Sequence, residues 1–184
     1  MKIQILISFL LAFIVLTCQA SYAQPIRLSG GGTINIPSNW KTEYKYGATV
    51  AYEEPDYKSL ENKNSTDFSY SMTIMSTVSI DLPQENTTIE QYAHTIVAGQ
   101  NSKLARELQA TLGTQIKNGY VTINGVKYFI SENFNSMMKG HTCEVITYSG
   151  IINNKIYTFM FVNSSINQGS KRGAFYHIMT TFRP

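Results

Sequence analysis

Cysteine is almost absent: the 184 residues hold two, Cys18 and Cys143. Cys18 lies in an apolar N-terminal stretch, and once that leader is removed one thiol remains. No intramolecular disulfide can then form, even in a disulfide-permissive compartment, so the core must hold by burial alone. Charge is also scarce, at 15% of residues and a net +3 that falls to +2 without Lys2. With acids and bases interspersed, this gives no electrostatic basis for a nucleic-acid partner or an anionic membrane surface. Long apolar runs are missing too. The longest, Ile5 to Leu16, is broken only by Ser8 and spans about 12 residues, short of the roughly 20 needed to cross a bilayer but within the range of an export signal.

Small residues at Ser21 and Ala23 supply the two positions a signal peptidase reads. The expected division is a signal peptide at 1–23 and a single domain at 24–184, periplasmic or extracellular and without stable membrane insertion after cleavage. The alternative processing is a lipoprotein anchored at Cys18, where Val15-Leu16-Thr17 forms a loose lipobox. Removing 23 residues from 184 leaves 161, enough for one substantial core.

Three successive glycines at 30–32 predict a turn or a flexible lead-in after Gln24. They are not a phosphate loop, because Thr33-Ile34 follow where the lysine and hydroxyl residue would stand. Thr33–Ile36 alternates as a short strand that Pro37 ends, and Ala48–Tyr52 predicts another. Residues 53–67 are polar and read as a surface loop. From Tyr70 to Ile80 apolar and hydroxyl residues alternate with period two, the pattern of a strand with one apolar face. Helix is predicted from Thr88, where Thr88 and Gln91 form a capping box, as far as Leu112 with Gly113 as its stop, either as one long helix or as two divided at Gly99.

Beyond Thr114 the pattern is of strands joined by tight turns. Asn124-Gly125 favours a type I′ hairpin, and Asn153-Asn154 does similar work. In "KIYTFMFV" the Ile156, Met160, Val162 parity and the Tyr157, Phe159, Phe161 parity are both apolar, which calls for cover on both sides of the sheet. A final helix is expected with Ser170 as cap and Phe175, Ile178 and Phe182 along one face.

Few residues offer chemistry. His141 and Cys143 lie at i and i+2, on one side of a strand, and an imidazole with a thiolate suits zinc or copper. Two ligands do not make a site, and convergence with His94, His177 or a carboxylate would be required. A Cys-His nucleophile would need a third, orienting group. Glu53, Glu54 and Asp56 are adjacent in a loop, and sequence assigns them no cleft-spanning separation of the kind glycoside hydrolysis uses. Tyr44, Tyr46, Tyr52 and Tyr57 are the candidates for a partner surface, since tyrosine is enriched at interfaces; the plainer reading turns alternate tyrosines into the core. Trp40, the one tryptophan, is expected to plug the sheet edge behind the Pro37 turn. Asn64, Asn86 and Asn163 begin glycosylation sequons, which sequence alone leaves undecided.

The order of these signals, "INIPSNW", a polar loop, a strand, "TIEQYAHTIV", "VTINGVKYF", "NKIYTFMFV" and a closing "FYHIMTTF", resembles the PsbP-like superfamily, which includes DcrB-like exported bacterial proteins. The resemblance covers nearly all of residues 33–183. It implies an α+β fold, an α/β/α sandwich with a central antiparallel sheet flanked by helices, whose members act mainly by binding. It carries no site residue onto this chain. The expected function is therefore an exported, non-enzymatic binding or accessory protein with a protein partner and no cofactor. The alternative is a small periplasmic metal-binding protein or hydrolase using His141 with distant partners.

Overall fold

A computed structural model of the chain describes residues 24–45, 47–53, 73–82, 87–93, 95, 110–138, 141–163, 169 and 171–184. The expected signal at 1–23 and the polar loop beyond Glu53 lie outside the described residues.

The segment expected as a lead-in is strand β1 (Gln24–Arg27), paired antiparallel with β2 (Thr33–Ile36) so that Ile26 faces Ile34. Gly31 and Gly32 turn the chain between them at φ of 93° and 78°, a region open to glycine without a Cβ penalty. A two-stranded ribbon is marginal alone. This one is held because Ile26, Leu28, Ile34 and Ile36 bury into the main core, and because the Thr33 amide donates to the Arg183 carbonyl at 2.7 Å with the reciprocal bond at 2.8 Å.

The main sheet contains β3 (Trp40–Lys45), β4 (Ala48–Glu53), β5 (Thr73–Asp81), β6 (Ala110–Thr111), β7 (Thr114–Ile123), β8 (Val126–Met138), β9 (His141–Ile152) and β10 (Lys155–Asn163). Its order is β3-β4-β5-β10-β9-β8, with β6 and β7 sharing the outer edge of β8. Every pairing is antiparallel. The late strand β10 thus slots between β5 and β9 at the centre, where both of its faces bury. The hairpin residues adopt the positive φ their chemistry allows, 51° at Asn124 and 78° at Gly125, then 50° and 60° at Asn153 and Asn154.

Period-two alternation sorts side chains between the faces. On one face Tyr128, Ile146, Tyr148, Phe159 and Phe161 meet helix α1 (Arg172–Thr180) through Phe175, Ile178 and Met179. Phe161 stacks on Phe175 with centroids 4.6 Å apart, and Phe159 meets Phe182 edge-on at 5.0 Å. Trp40 joins this core, 6% exposed at the start of edge strand β3. On the other face Phe129 and Ile156 pack with Ile89 and Ala93 of the helical residues at 89–93. That segment begins on the expected capping box: the Thr88 amide donates to Gln91 Oε1 at 2.9 Å and the Gln91 amide to Thr88 Oγ1 at 3.4 Å.

Two helix expectations need correction. The predicted helix does not extend to Leu112, because Ala110 and Thr111 pair with Met138 and Met137 as β6. Beyond the end of β7 the β8 edge has backbone groups to satisfy, and a short strand does so. Gly113 permits the approach, since a Cβ there would stand 2.1 Å from the Phe134 carbonyl oxygen. At the C-terminus the cap of α1 is Lys171, with no side-chain cap bond, and Ser170 lies outside the described residues. Phe182 follows the helix rather than belonging to it, its amide donating to the Met179 carbonyl at 3.3 Å. The described residues therefore form a mostly antiparallel sheet with two small helices, less helical than the α/β/α sandwich expected.

Candidate functional site

The β3–β4 hairpin carries the tyrosines singled out for a partner surface. Tyr44 is 72% exposed, whereas Tyr52 is 9% exposed and its hydroxyl donates to Glu43 Oε1 at 2.7 Å. Tyr44 lies opposite Thr49 and Tyr52 opposite Lys41, so strand alternation puts the two tyrosines on different faces and does not bring them together. Tyr46 and Tyr57 lie outside the described residues. Among the described strands β3 pairs with β4 alone and stands at the edge of the sheet, with Tyr44 on it.

His141 opens β9 opposite Met138, and its side chain is not among those described. Cys143, two residues on, is buried as a free thiol opposite Ser136. Burial pushes the Cys143 thiol up to about 12, so the thiolate that would bind metal or attack an electrophile is strongly disfavoured. Among the described residues no group of three or more His, Cys, Asp or Glu side chains could hold a metal ion. Of the acidic loop, Glu53 accepts from Asn39 Nδ2 at 3.2 Å; Glu54 and Asp56 lie outside the described residues. Asn163 is wholly buried, so a glycosyltransferase has no access to that sequon in the folded chain.

The sheet face that carries Phe129 also holds a band of buried hydroxyl and amide groups. Asn133 Nδ2 and Gln115 Nε2 donate to Ser131 Oγ at 3.2 and 3.1 Å. Thr147 Oγ1 donates to the Ser131 carbonyl at 3.4 Å, and Ser149 Oγ and Thr158 Oγ1 are 3.1 Å apart. These groups bond to one another, as buried polar groups must.

Among the described residues a concentration of buried charge that was not a sequence candidate lies at the start of α1. Glu132 of β8 and Glu144 of β9 are 3% and 0% exposed on the α1 face, beside Arg172 at the first position of α1. Arg172 Nε donates to Glu132 Oε1 and stands 3.6 Å from Glu144 Oε1. Its guanidinium also lies over the Phe134 ring, 4.9 Å from the centroid. Glu144 Oε2 accepts from the Gly169 amide at 2.9 Å and from Asn163 Nδ2 at 3.4 Å. Burial raises the Glu132 carboxyl above the usual glutamate value; the guanidinium opposes this, and Glu144 adds to it. Burial, with these charges adding smaller effects, pushes the neighbouring Tyr148 phenol up to about 12. A signal for the pair existed: Glu132 shares parity with Tyr128 and Ile130, and Glu144 with Ile146 and Tyr148, so alternation aims both carboxylates inward.

No protein-family model matches the sequence, and no curated protein does. Among solved structures the chain is similar to the solution structure of the cyanobacterial PsbP, CyanoP, of Synechocystis sp. PCC 6803. The TM-score is 0.58 at 10% identity over 89% of this chain and 92% of that one. It is also similar, with a TM-score of 0.47 and 14% identity over 88% of this chain and 96% of that one, to PA94 of Pseudomonas aeruginosa, a protein of unknown function described as a putative regulator. At such identities the likeness speaks to fold alone: this chain has a PsbP-like fold.

Proposed function

We propose that the chain is an exported, non-enzymatic binding or accessory protein, released into the periplasm or the extracellular space after cleavage behind Ala23, and that it works by docking a protein partner along strand β3. The observation that carries this reading is Tyr44, 72% exposed on β3, the outermost of the described strands, while Trp40 and Tyr52 of the same hairpin are buried. An exposed aromatic on a strand that is outermost among the described strands suits a partner that adds an extended segment and seats a side chain against the ring. The finer architecture belongs to the same proposal: a sheet flanked by helices on both faces is supported by one small helix packing on each.

The test captures partners from the exported fraction on immobilised wild-type protein and on Tyr44→Asp. The reading expects a stoichiometric companion on the wild type that the variant loses while its melting temperature stays unchanged. Equal capture by both removes the β3 edge from consideration. Mass spectrometry of the exported chain is expected to find an N-terminus at Gln24; a lipidated Cys18 would place the protein on a membrane surface instead.

A further inference from the structure

We infer that Asn124 is a deamidation site, and that its conversion to aspartate or isoaspartate unfastens the β7–β8 turn from the C-terminal end of α1. The chain contains two Asn-Gly pairs, Asn118-Gly119 and Asn124-Gly125. In such a pair the glycine amide nitrogen attacks the asparagine Cγ. An N–Cγ bond closes a five-membered succinimide, the Cγ–Nδ2 bond breaks, and ammonia leaves with the proton of the glycine nitrogen. Water then opens the ring at either carbonyl, giving aspartate or, with the chain routed through the side chain, isoaspartate. Glycine favours the attack because no Cβ crowds the nucleophile.

In sequence the two pairs are alike, and register separates them. Ile123 and Val126 face each other across the two-residue turn, which makes them a hydrogen-bonded pair. Alternation gives the same status to Val121 with Tyr128 and to Gly119 with Ile130. The Gly119 amide therefore donates across the ladder, and the nucleophile beside Asn118 is engaged. Gly125 is the second corner of the turn, at φ of 78°, where its N–H takes no part in the ladder. Asn124 and Gly125 are both exposed to the water that completes the reaction.

What the conversion undoes is a tether. Asn124 Nδ2 donates to the Thr180 carbonyl at 2.6 Å, at the final position of α1 and 56 residues away. That carbonyl is among those a helix leaves without an intrahelical partner, and it also accepts from Arg183 Nη1 at 3.3 Å. A carboxylate at position 124 has no N–H to donate. It sets oxygen against oxygen and brings negative charge to a helix end that already carries partial negative charge. The Arg183 guanidinium is the cation near enough to draw the new carboxylate aside, away from the carbonyl. Isoaspartate also lengthens the backbone by one methylene inside a turn whose geometry suits two residues. Because the departing nitrogen is the atom that Thr180 holds, the tether slows the reaction in the folded chain.

The test incubates the full protein in mildly alkaline buffer, native and in urea, and follows both sites by peptide mass spectrometry with isoaspartyl methyltransferase labelling. In urea the two sites are expected to convert at similar rates. The native protein is expected to convert at Asn124, more slowly than in urea, and to leave Asn118 intact. Hydrogen exchange then reads the tether at the Thr181 and Phe182 amides, which donate to the Ile178 and Met179 carbonyls at 3.0 and 3.3 Å. Exchange there is expected to be faster in the converted protein and in Asn124→Asp than in the wild type. Asn124→Gly, which keeps the turn but lacks the amide, is expected to fall between them. Equal native rates at the two sites, whether both convert or both stay inert, or unchanged exchange in Asn124→Asp would each overturn the inference.

Discussion

Replacing Trp40 by alanine tests the core where it is most localised. The indole is 6% exposed and lies within the cluster that also holds Phe159, Phe161 and Phe175. A buried tryptophan removes about 200 Å² from water. At about 25 cal/mol per Å² that is worth roughly 5 kcal/mol, an upper figure because the unfolded chain hides part of the same surface. Trp40 begins an edge strand, where neighbours and solvent can relax into the gap, so the loss should fall between about 3 and 5 kcal/mol. For a domain of this size each kcal/mol moves the melting temperature by about 2–4 °C, which puts the expected drop at roughly 6–20 °C. Far-ultraviolet circular dichroism is the assay, since the substitution removes the only tryptophan fluorophore. Tyr44→Ala, four residues along the same strand and 72% exposed, is the control and should stay within about 2 °C. If Trp40→Ala also stayed within that margin, the indole would not be part of the structural core and the account of β3 would fail.

Gly150→Ala should destabilise by about 1–3 kcal/mol, read by urea unfolding, because the new Cβ would stand 2.7 Å from the buried Tyr128 ring. Gly125→Ala, at φ of 78° in the β7–β8 turn, should cost on the order of 1 kcal/mol in the same assay. Cys143 should resist iodoacetamide at pH 8 and react fully in denaturant, since burial holds its thiol near 12; equal rates in both conditions would refute its burial.

Patterns that depend only on neighbouring residues were readable in advance. The alternation of Thr33–Ile36, the Asn124-Gly125 turn, and the Thr88–Gln91 capping box appear in the structure where their local chemistry put them. A strand forms at 73–81, but there Thr73, Met75 and Thr77 face the core and Ile80, of the parity expected to be apolar and covered, is 52% exposed. The demand that β10 be covered on both faces is met fully on the side of Tyr157, Phe159 and Phe161 and in part on the other, where Ile156 and Val162 are buried and Thr158 and Met160 half-buried. The errors occurred where a distant edge decided the outcome. Ala110 and Thr111 continue a helical period in sequence, yet they pair with β8 because its edge needs partners. Residues 24–27 lack a strong strand signal alone and gain one from β2 and the C-terminal Arg183.

The tyrosine set and the charged cluster divide the same way. Sequence marked Tyr44 and Tyr52 as alike; in the structure they lie on opposite faces of the β3–β4 hairpin, and Tyr44, on the face of Trp40 but farther along the edge strand, is 72% exposed while Tyr52 is 9% exposed. Composition and period determined that this chain makes an antiparallel sheet without disulfide support, because alternation and turn chemistry act over a few residues. Tertiary structure alone brought Glu132, Glu144 and Arg172 together from three elements and removed the carboxylates from water. Burial and electrostatic coupling are properties of through-space neighbours, and the linear order of residues does not contain those distances.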